Sequence, residues 1–218
     1  YIVRKNLSIN APSRKKIIEC FEDFYFGGNP NSDSKDWKGF IKNEELLVKK
    51  EFFNNDFDYP TRALVQFSGD EFTELSKSVA DGTITSDAKY YLRLYEAEGN
   101  AEMTEEYTLA IQPISQSWSE WTGKFGDNPK NTNGCSWENR SNPIGGNNVS
   151  WSKAGSFNKN GPTVITGSTN EGTQSFSNES PDINMEVTNV VNNWLDGTNK
   201  NYGFLLRFTG SQETDSET

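Results

Sequence analysis

Histidine is absent from all 218 residues, and cysteine and methionine appear twice each. Without histidine the chain lacks the commonest general base, the Ser-His-Asp and Cys-His arrangements, and the usual zinc and iron ligand sets. Cys20 and Cys135 stand far apart and show no disulfide framework, so they read as two free thiols. Positive charge is also scarce, with 21 Lys and Arg against 31 Asp and Glu, a net charge of −10. Phosphate binding needs a concentrated basic surface, so nucleic acid is not expected as a direct partner. The longest basic run, Arg14-Lys15-Lys16, reads as a solvated strand end. No stretch of eighteen apolar residues is available to span a membrane, and no basic-then-apolar leader opens the chain. It begins at Tyr1 rather than Met, which reads as a processed or partial piece of a longer polypeptide.

What is present is aromatic and polar. Hydrophobic residues make up only 33%, but 14 Phe, 8 Tyr and 6 Trp can bury much apolar area in few side chains. Gly, Asn, Ser and Thr dominate the remainder and favour turns between short strands. One large β domain is therefore expected over residues 17–218, with 1–16 as an N-terminal extension or linker.

Strand signals fall on residues 17–26 (IIECFEDFYF), 45–53, 62–67 (RALVQF), 107–114 (YTLAIQPI), 183–187 and 202–208 (YGFLLRF). The strongest is 88–95 (AKYYLRLY), where Ala88, Tyr90, Leu92 and Leu94 alternate with Lys89, Tyr91, Arg93 and Tyr95. That pattern sends one face to a core and the other to solvent. Two short helices are expected. Phe72, Leu75 and Val79 share a face over 70–80, ended by Asp81-Gly82; Val190, Val191, Trp194 and Leu195 form a stripe behind Thr188 as N-cap, ended by Asp196-Gly197. Leu92, Leu94, Val65, Phe67, Leu205 and Phe208 are expected in the core.

Between 121 and 178 the periodicity fades into Gly, Asn, Ser and Trp. A stretch so long and irregular is uncommon inside a compact domain unless it is functional. It reads as a structured, loop-rich insertion that carries partner contacts. Trp137 and Trp151 within it, and Trp37 before it, lie in loop-like context and are candidates for contact with a protein partner or a sugar. Trp118 and Trp121 read as packing residues. Asp127, Asn128, Asn131 and Asn133 offer oxygen atoms of the kind Ca²⁺ takes, but their spacing fits no EF-hand loop and reads as an Asn-rich turn. No other cofactor is implied. The acidic residues cluster in polar runs such as Glu105-Glu106, where no desolvation would tune a carboxyl for catalysis, so no catalytic residue is assigned.

Several of these segments taken together resemble a known family. RALVQF, the acidic helix, SDAKYYLRLY, the Trp118-Ser119-Glu120-Trp121-Thr122 turn, DINMEVTNVVNNWLDG and NYGFLLRF follow the order of DNRLRE-type β-sandwich domains. The resemblance runs from about Ile17 to Phe208. It implies an all-β, jelly-roll-like sandwich with two short helices, of a kind found in secreted bacterial proteins, in carbohydrate-binding modules and in virion proteins of large tailed phages. The ending is similar in style to structural proteins of marine contractile-tailed phages. The family's closing strand after the N-Y-G-F strand is missing, which implies that it lies beyond residue 218 or comes from a neighbour. The function implied is that of a non-catalytic virion component of capsid, neck, tail or fibre, located in the virion and contacting other virion proteins in many copies. The alternative is a carbohydrate-binding module of an extracellular or cell-surface protein, with a surface polysaccharide as partner.

Overall fold

Alternating apolar side chains can be buried on one side only when neighbouring strands supply the backbone hydrogen bonds, so the strand signals imply sheets. The computed structural model describes residues 2–11, 14–18, 22–27, 38–40, 46–48, 50–53, 57–67, 69–98, 106–120, 133–135, 139–152, 162–167, 169–177 and 182–209. In chain order the strands are β1 (Ile2–Ala11), β2 (Arg14–Ile18), β3 (Glu22–Gly27), β4 (Lys38–Phe40), β5 (Leu46–Leu47), β6 (Lys50–Phe53) and β7 (Phe57–Gln66). Helix α1 (Gly69–Ala80) follows, then β8 (Lys89–Glu98), β9 (Tyr107–Pro113), β10 (Asn139–Ser141), β11 (Val149–Ser150), β12 (Gly172–Phe176) and β13 (Ile183–Glu186). Helix α2 (Thr188–Leu195) and β14 (Phe204–Phe208) complete the order. The fold is all-β with two short helices.

Two large antiparallel sheets organise it. The first runs β13-β8-β1-β2, with β5 also against β1; the second runs β12-β9-β14-β7-β3-β4, with β6 also against β7. Both sheets contribute to one core. Tyr90, Leu92 and Leu94 of β8 and Ile183 and Met185 of β13 meet Ala63 and Val65 of β7, Leu109 and Ile111 of β9, and Phe204, Leu206 and Phe208 of β14. The helices add Phe72, Leu75, Val190, Val191 and Trp194 to the same core.

Large rings supply much of this interior, as the composition suggested. The Trp194 and Phe204 ring centroids lie 4.9 Å apart, Phe72 meets Trp194 edge-on at 6.0 Å, and Tyr107 stacks on Phe176 at 4.9 Å. Such pairs add about 0.5–1.5 kcal/mol each beyond the area they bury. Both helices end at the same tripeptide, Asp-Gly-Thr. Asp81 Oδ1 accepts the Thr83 backbone N–H at 2.8 Å, and Asp196 Oδ1 accepts that of Thr198 at 2.8 Å. Each turn is thereby closed by a local side-chain bond. These bonds hold both carboxyls below their ordinary pKa.

Within residues 1–16, β1 pairs with β8 from Ile2↔Glu98 to Asn10↔Lys89, and β2 begins at Arg14. Two sequence expectations are corrected. The 17–26 run is not one strand: β2 ends at Ile18 in the first sheet, and β3 begins at Glu22 in the second. A run of strand-forming residues carries no mark of which sheet will pair with it, because the partners are remote in sequence. Thr188 does not cap α2. It is the first helical residue, and its hydroxyl accepts from Tyr90 N at 3.1 Å and donates to Glu186 Oε1 at 2.9 Å. The neighbouring strand thus takes the hydroxyl that the helix end would otherwise use.

Candidate contact surface

Over β7 and β14 the outward face of the second sheet is covered rather than solvated. Along β14, Phe204, Leu206 and Phe208 serve the main core, while Leu205 turns to the opposite side and is equally buried. Leu64 does the same on β7 beside Val65. A second apolar cluster forms there from Leu64, Leu205, Ile114, Cys135, Trp151 and Val164, with Trp118 and Tyr202 packed on it. Its cover comes from the 121–178 region, of which the structure describes 133–135, 139–152, 162–167 and 169–177.

Hydrogen bonds pin this cover. Ile114 bridges Val164 beyond the end of β9, and Ser115 N and Ile165 N each donate across that junction at 2.9 Å, to Thr163 O and Pro113 O. Thr163 Oγ1 donates to Ser152 O. Trp118 Nε1 donates to Tyr202 O at 2.9 Å, and Ser152 N donates to Gln116 Oε1 at 2.8 Å. At the base of the β10-β11 hairpin, Arg140 Nη1 donates to Ser117 O and its hydroxyl at 2.9 Å, while Ser119 N donates to Arg140 O at 2.9 Å.

A buried polar group adjoins the cluster. Arg207 is 4% exposed, and its Nε donates to Gln112 Oε1 at 3.1 Å while its Nη1 donates to Phe208 O at 2.7 Å. Gln112 Nε2 donates to Glu171 Oε2 at 3.2 Å, and Glu171 Oε1 lies 3.8 Å from Arg207 Nη2. A buried guanidinium needs such partners to offset its lost hydration. Arg62, on neighbouring β7, is fully buried as well.

The hairpin tip is the opposite of its base. Every residue from 143 to 150 is exposed, and Ile144 is 81% exposed. Gly146 N donates to Pro143 O at 3.1 Å, and Gly145 has φ of 71°, the backbone of a type II turn with Ile144 at its first corner. An apolar side chain is thus held out on a short pinned arm, an arrangement suited to entering a partner's pocket.

Of the tryptophans expected as contacts, Trp151 is buried at 6% exposure within the second cluster, where it anchors the cover and presents no open ring face. Trp37 and Trp137 lie outside the described residues, as do Trp121, Cys20, Asp127, Asn128 and Asn131. Trp118 packs, half-buried, on the outer cluster. Cys135 is fully buried; desolvation, with a smaller push from the Glu120 carboxylate, raises its thiol pKa well above the ordinary value. Among the described residues no group of three or more His, Cys, Asp or Glu could hold a metal ion. The carboxyls with shifted pKa there are Asp81 and Asp196 in their turns, and Glu186, lowered by its bond to Lys89 and then by that to Thr188. Among the described residues no helix is long and apolar enough to cross a membrane.

Sequence reasoning looked to tryptophans and did not single out Ile144, the most exposed large apolar side chain among the described residues. The available signal was its setting between Pro143 and Gly145-Gly146, a turn in which any side chain is bare. No protein-family model, curated protein or solved structure matches the chain.

Proposed function

We propose that this chain is a non-catalytic jelly-roll β-sandwich acting as an assembly or attachment module of a virion, where it contacts other virion proteins in many copies. The observation that carries the reading is the β10-β11 hairpin, pinned at its base by Arg140, Ser117 and Ser119 and bare at Ile144. Contact residues on a rigid arm lose little entropy on docking, which favours permanent assembly.

The strand order supports the jelly-roll part. A jelly roll sets two four-stranded antiparallel sheets against each other. Here β12-β9-β14-β7 and β13-β8-β1-β2 form two such runs, and the chain passes between them from β7 to β8 to β9, and from β12 to β13 to β14. The virion assignment rests on the resemblance in style of the NNWLDGTNKNYGFLLRF and SQETDSET ending, and the non-catalytic one on the lack of histidine.

The rival reading, a carbohydrate-binding module, requires an exposed aromatic platform, and the burial of Trp151 removes one of its three candidates. Sedimentation of native source material, with immunodetection of this chain, tests the proposal. The chain is expected to travel with multi-subunit particles; recovery only as a free monomer would refute the assembly role.

A further inference from the structure

The edge of a sheet carries backbone groups that face no neighbouring strand, and each is a template on which another chain can add one. Two such edges lie side by side here. Among the described residues, β13 has only β8 beside it in the first sheet, and β12 has only β9 in the second. The two edges touch: a Cβ built at Gly172 of β12 would meet Met185 Cβ at 3.5 Å and Glu186 O at 3.7 Å on β13.

The direction of the backbone groups on β13 follows from its register. Val187 N donates to Tyr90 O at 2.8 Å, so residues of that parity, Ile183 opposite Leu94 and Met185 opposite Leu92, turn their backbone groups to β8. Asp182 and Asn184 have the other parity and turn theirs to the edge. One side chain takes a group from each. Gln174 Oε1 accepts the Asn184 backbone N–H at 2.9 Å, and Gln174 Nε2 donates to Asp182 O at 3.2 Å. Gln174 stands opposite the core residue Leu109 and two places before the buried Phe176, so it lies on the core-facing side of β12. Those two bonds account for a polar side chain there. Asn184 is fixed from the other side as well, because its Oδ1 accepts from Arg93 Nε at 3.0 Å.

We propose that Gln174 is an edge lock: its carboxamide fills the place of one residue of a further strand and so keeps the first sheet from pairing with another chain at β13. An acceptor for the N–H of one residue, and a donor for the C=O two residues earlier, are what the backbone of an added strand would present there. Apart from its shortness, β13 has none of the usual guards of an edge, since it contains no proline, lysine or bulge, and its one charged side chain, Glu186, is engaged by Lys89 at 2.9 Å. The inference does not depend on the virion reading, because a strand edge is open to pairing in any surroundings.

Two measurements on the full chain test this: amide hydrogen exchange followed by NMR, and sedimentation in high salt, which screens the net charge of −10. Gln174→Thr keeps a polar strand former but is too short to reach β13. In that variant the Asn184 amide is expected to exchange about fivefold to tenfold faster than in wild type, as loss of one hydrogen bond allows, while the Val187 amide stays within about twofold. The variant is also expected to self-associate about tenfold more tightly than wild type. Adding Asn184→Pro should cancel that gain, since proline removes the outward N–H and leaves the bonds to β8 in place. An Asn184 exchange rate unchanged by Gln174→Thr would overturn the inference, as would equal acceleration at Val187, which would make Gln174 a general support of the fold. Association equal to that of wild type, or a gain that Asn184→Pro leaves standing, would overturn it too.

Discussion

Gly203 is where the chain enters β14, and replacing it with alanine gives a calculable result. Its φ is 80°, and its carbonyl accepts the Ile114 N–H at 2.9 Å while its own N–H donates to Asn201 Oδ1 at 3.0 Å. A Cβ built there would stand 2.1 Å from Val65 O and 2.8 Å from both Val65 C and Gln66 Cα. Those atoms belong to the backbone of β7, where Val65 is fully buried, so they cannot swing aside as a side-chain end would. Two costs add. The left-handed conformation costs a non-glycine residue about 1–2 kcal/mol, and forcing packed backbone apart costs about 1–3 kcal/mol more. Gly197 supplies the control, because its φ is 79° but nothing lies within 4 Å of a Cβ there. Gly197→Ala therefore reports the conformational cost alone. Chemical denaturation of both variants should place Gly203→Ala about 1–3 kcal/mol below Gly197→Ala, which for a chain of this size is roughly 2–12 °C in melting temperature. Equal stabilities would refute the close approach of residue 203 to β7.

Leu94→Ala, at a fully buried position, should cost about 2–5 kcal/mol by denaturant titration. Trp151→Ala should cost about 3–5 kcal/mol and Trp151→Phe clearly less, since the ring fills the outer cluster; a loss under about 0.5 kcal/mol would return Trp151 to the surface. Asp81 and Asp196 have depressed carboxyl pKa values, so their contribution is complete above the unfolded value of about 3.8 and is lost as pH falls through the folded values. Melting curves of wild type and the Asp81→Asn, Asp196→Asn double variant should therefore differ most near neutral pH and converge as pH falls through the folded values. Cys135, buried and with a raised thiol pKa, should resist alkylation in the native chain at neutral pH and react once the chain is unfolded; mass spectrometry of labelled protein decides this.

The legible parts of the fold were those encoded locally. Alternation over 88–95 placed Tyr90, Leu92 and Leu94 in the core, and all three are buried. The stripe of Val190, Val191 and Trp194 gave α2, and Asp-Gly gave both helix ends. Leu205 was expected in the core and is fully buried, but it belongs to the outer cluster. What was not legible depends on remote partners. Nothing within Ile2–Ala11 announces that it will lie between β8 and β2, because its pairing is set by residues some eighty positions away. Thr188 matched a capping pattern, yet the capping pattern knows nothing of Tyr90 on the adjacent strand. Trp151, one of the three contact candidates, is buried for a related reason. Tryptophan in an Asn- and Gly-rich segment signals either an exposed anchor or the nail that holds the segment down, and the two differ only in whether an apolar sheet face lies beneath.

That sheet face explains why the insertion can be so irregular. A strand with one wet face alternates polar and apolar residues, but FLLRF on β14 and RALV on β7 carry apolar residues on both faces, with Arg62 and Arg207 among them. Leu64 and Leu205 left bare would together forfeit about 3–6 kcal/mol of burial, and Arg207 would still need its bonds to Gln112 and Phe208. Ser-, Asn- and Gly-rich chain can satisfy this demand without periodicity, because it needs only a few apolar plugs, Cys135, Trp151 and Val164, and many short hydrogen bonds between them. The cover is consequently held in place where its described residues touch the sheet. A hairpin that leaves such a cover, as β10-β11 does, projects from a fixed base, so its tip can vary in sequence at little cost to the core. Substitution at Ile144 should therefore change what the chain contacts while leaving its melting temperature within about 1–2 °C, whereas substitution at Trp151 should release the cover itself.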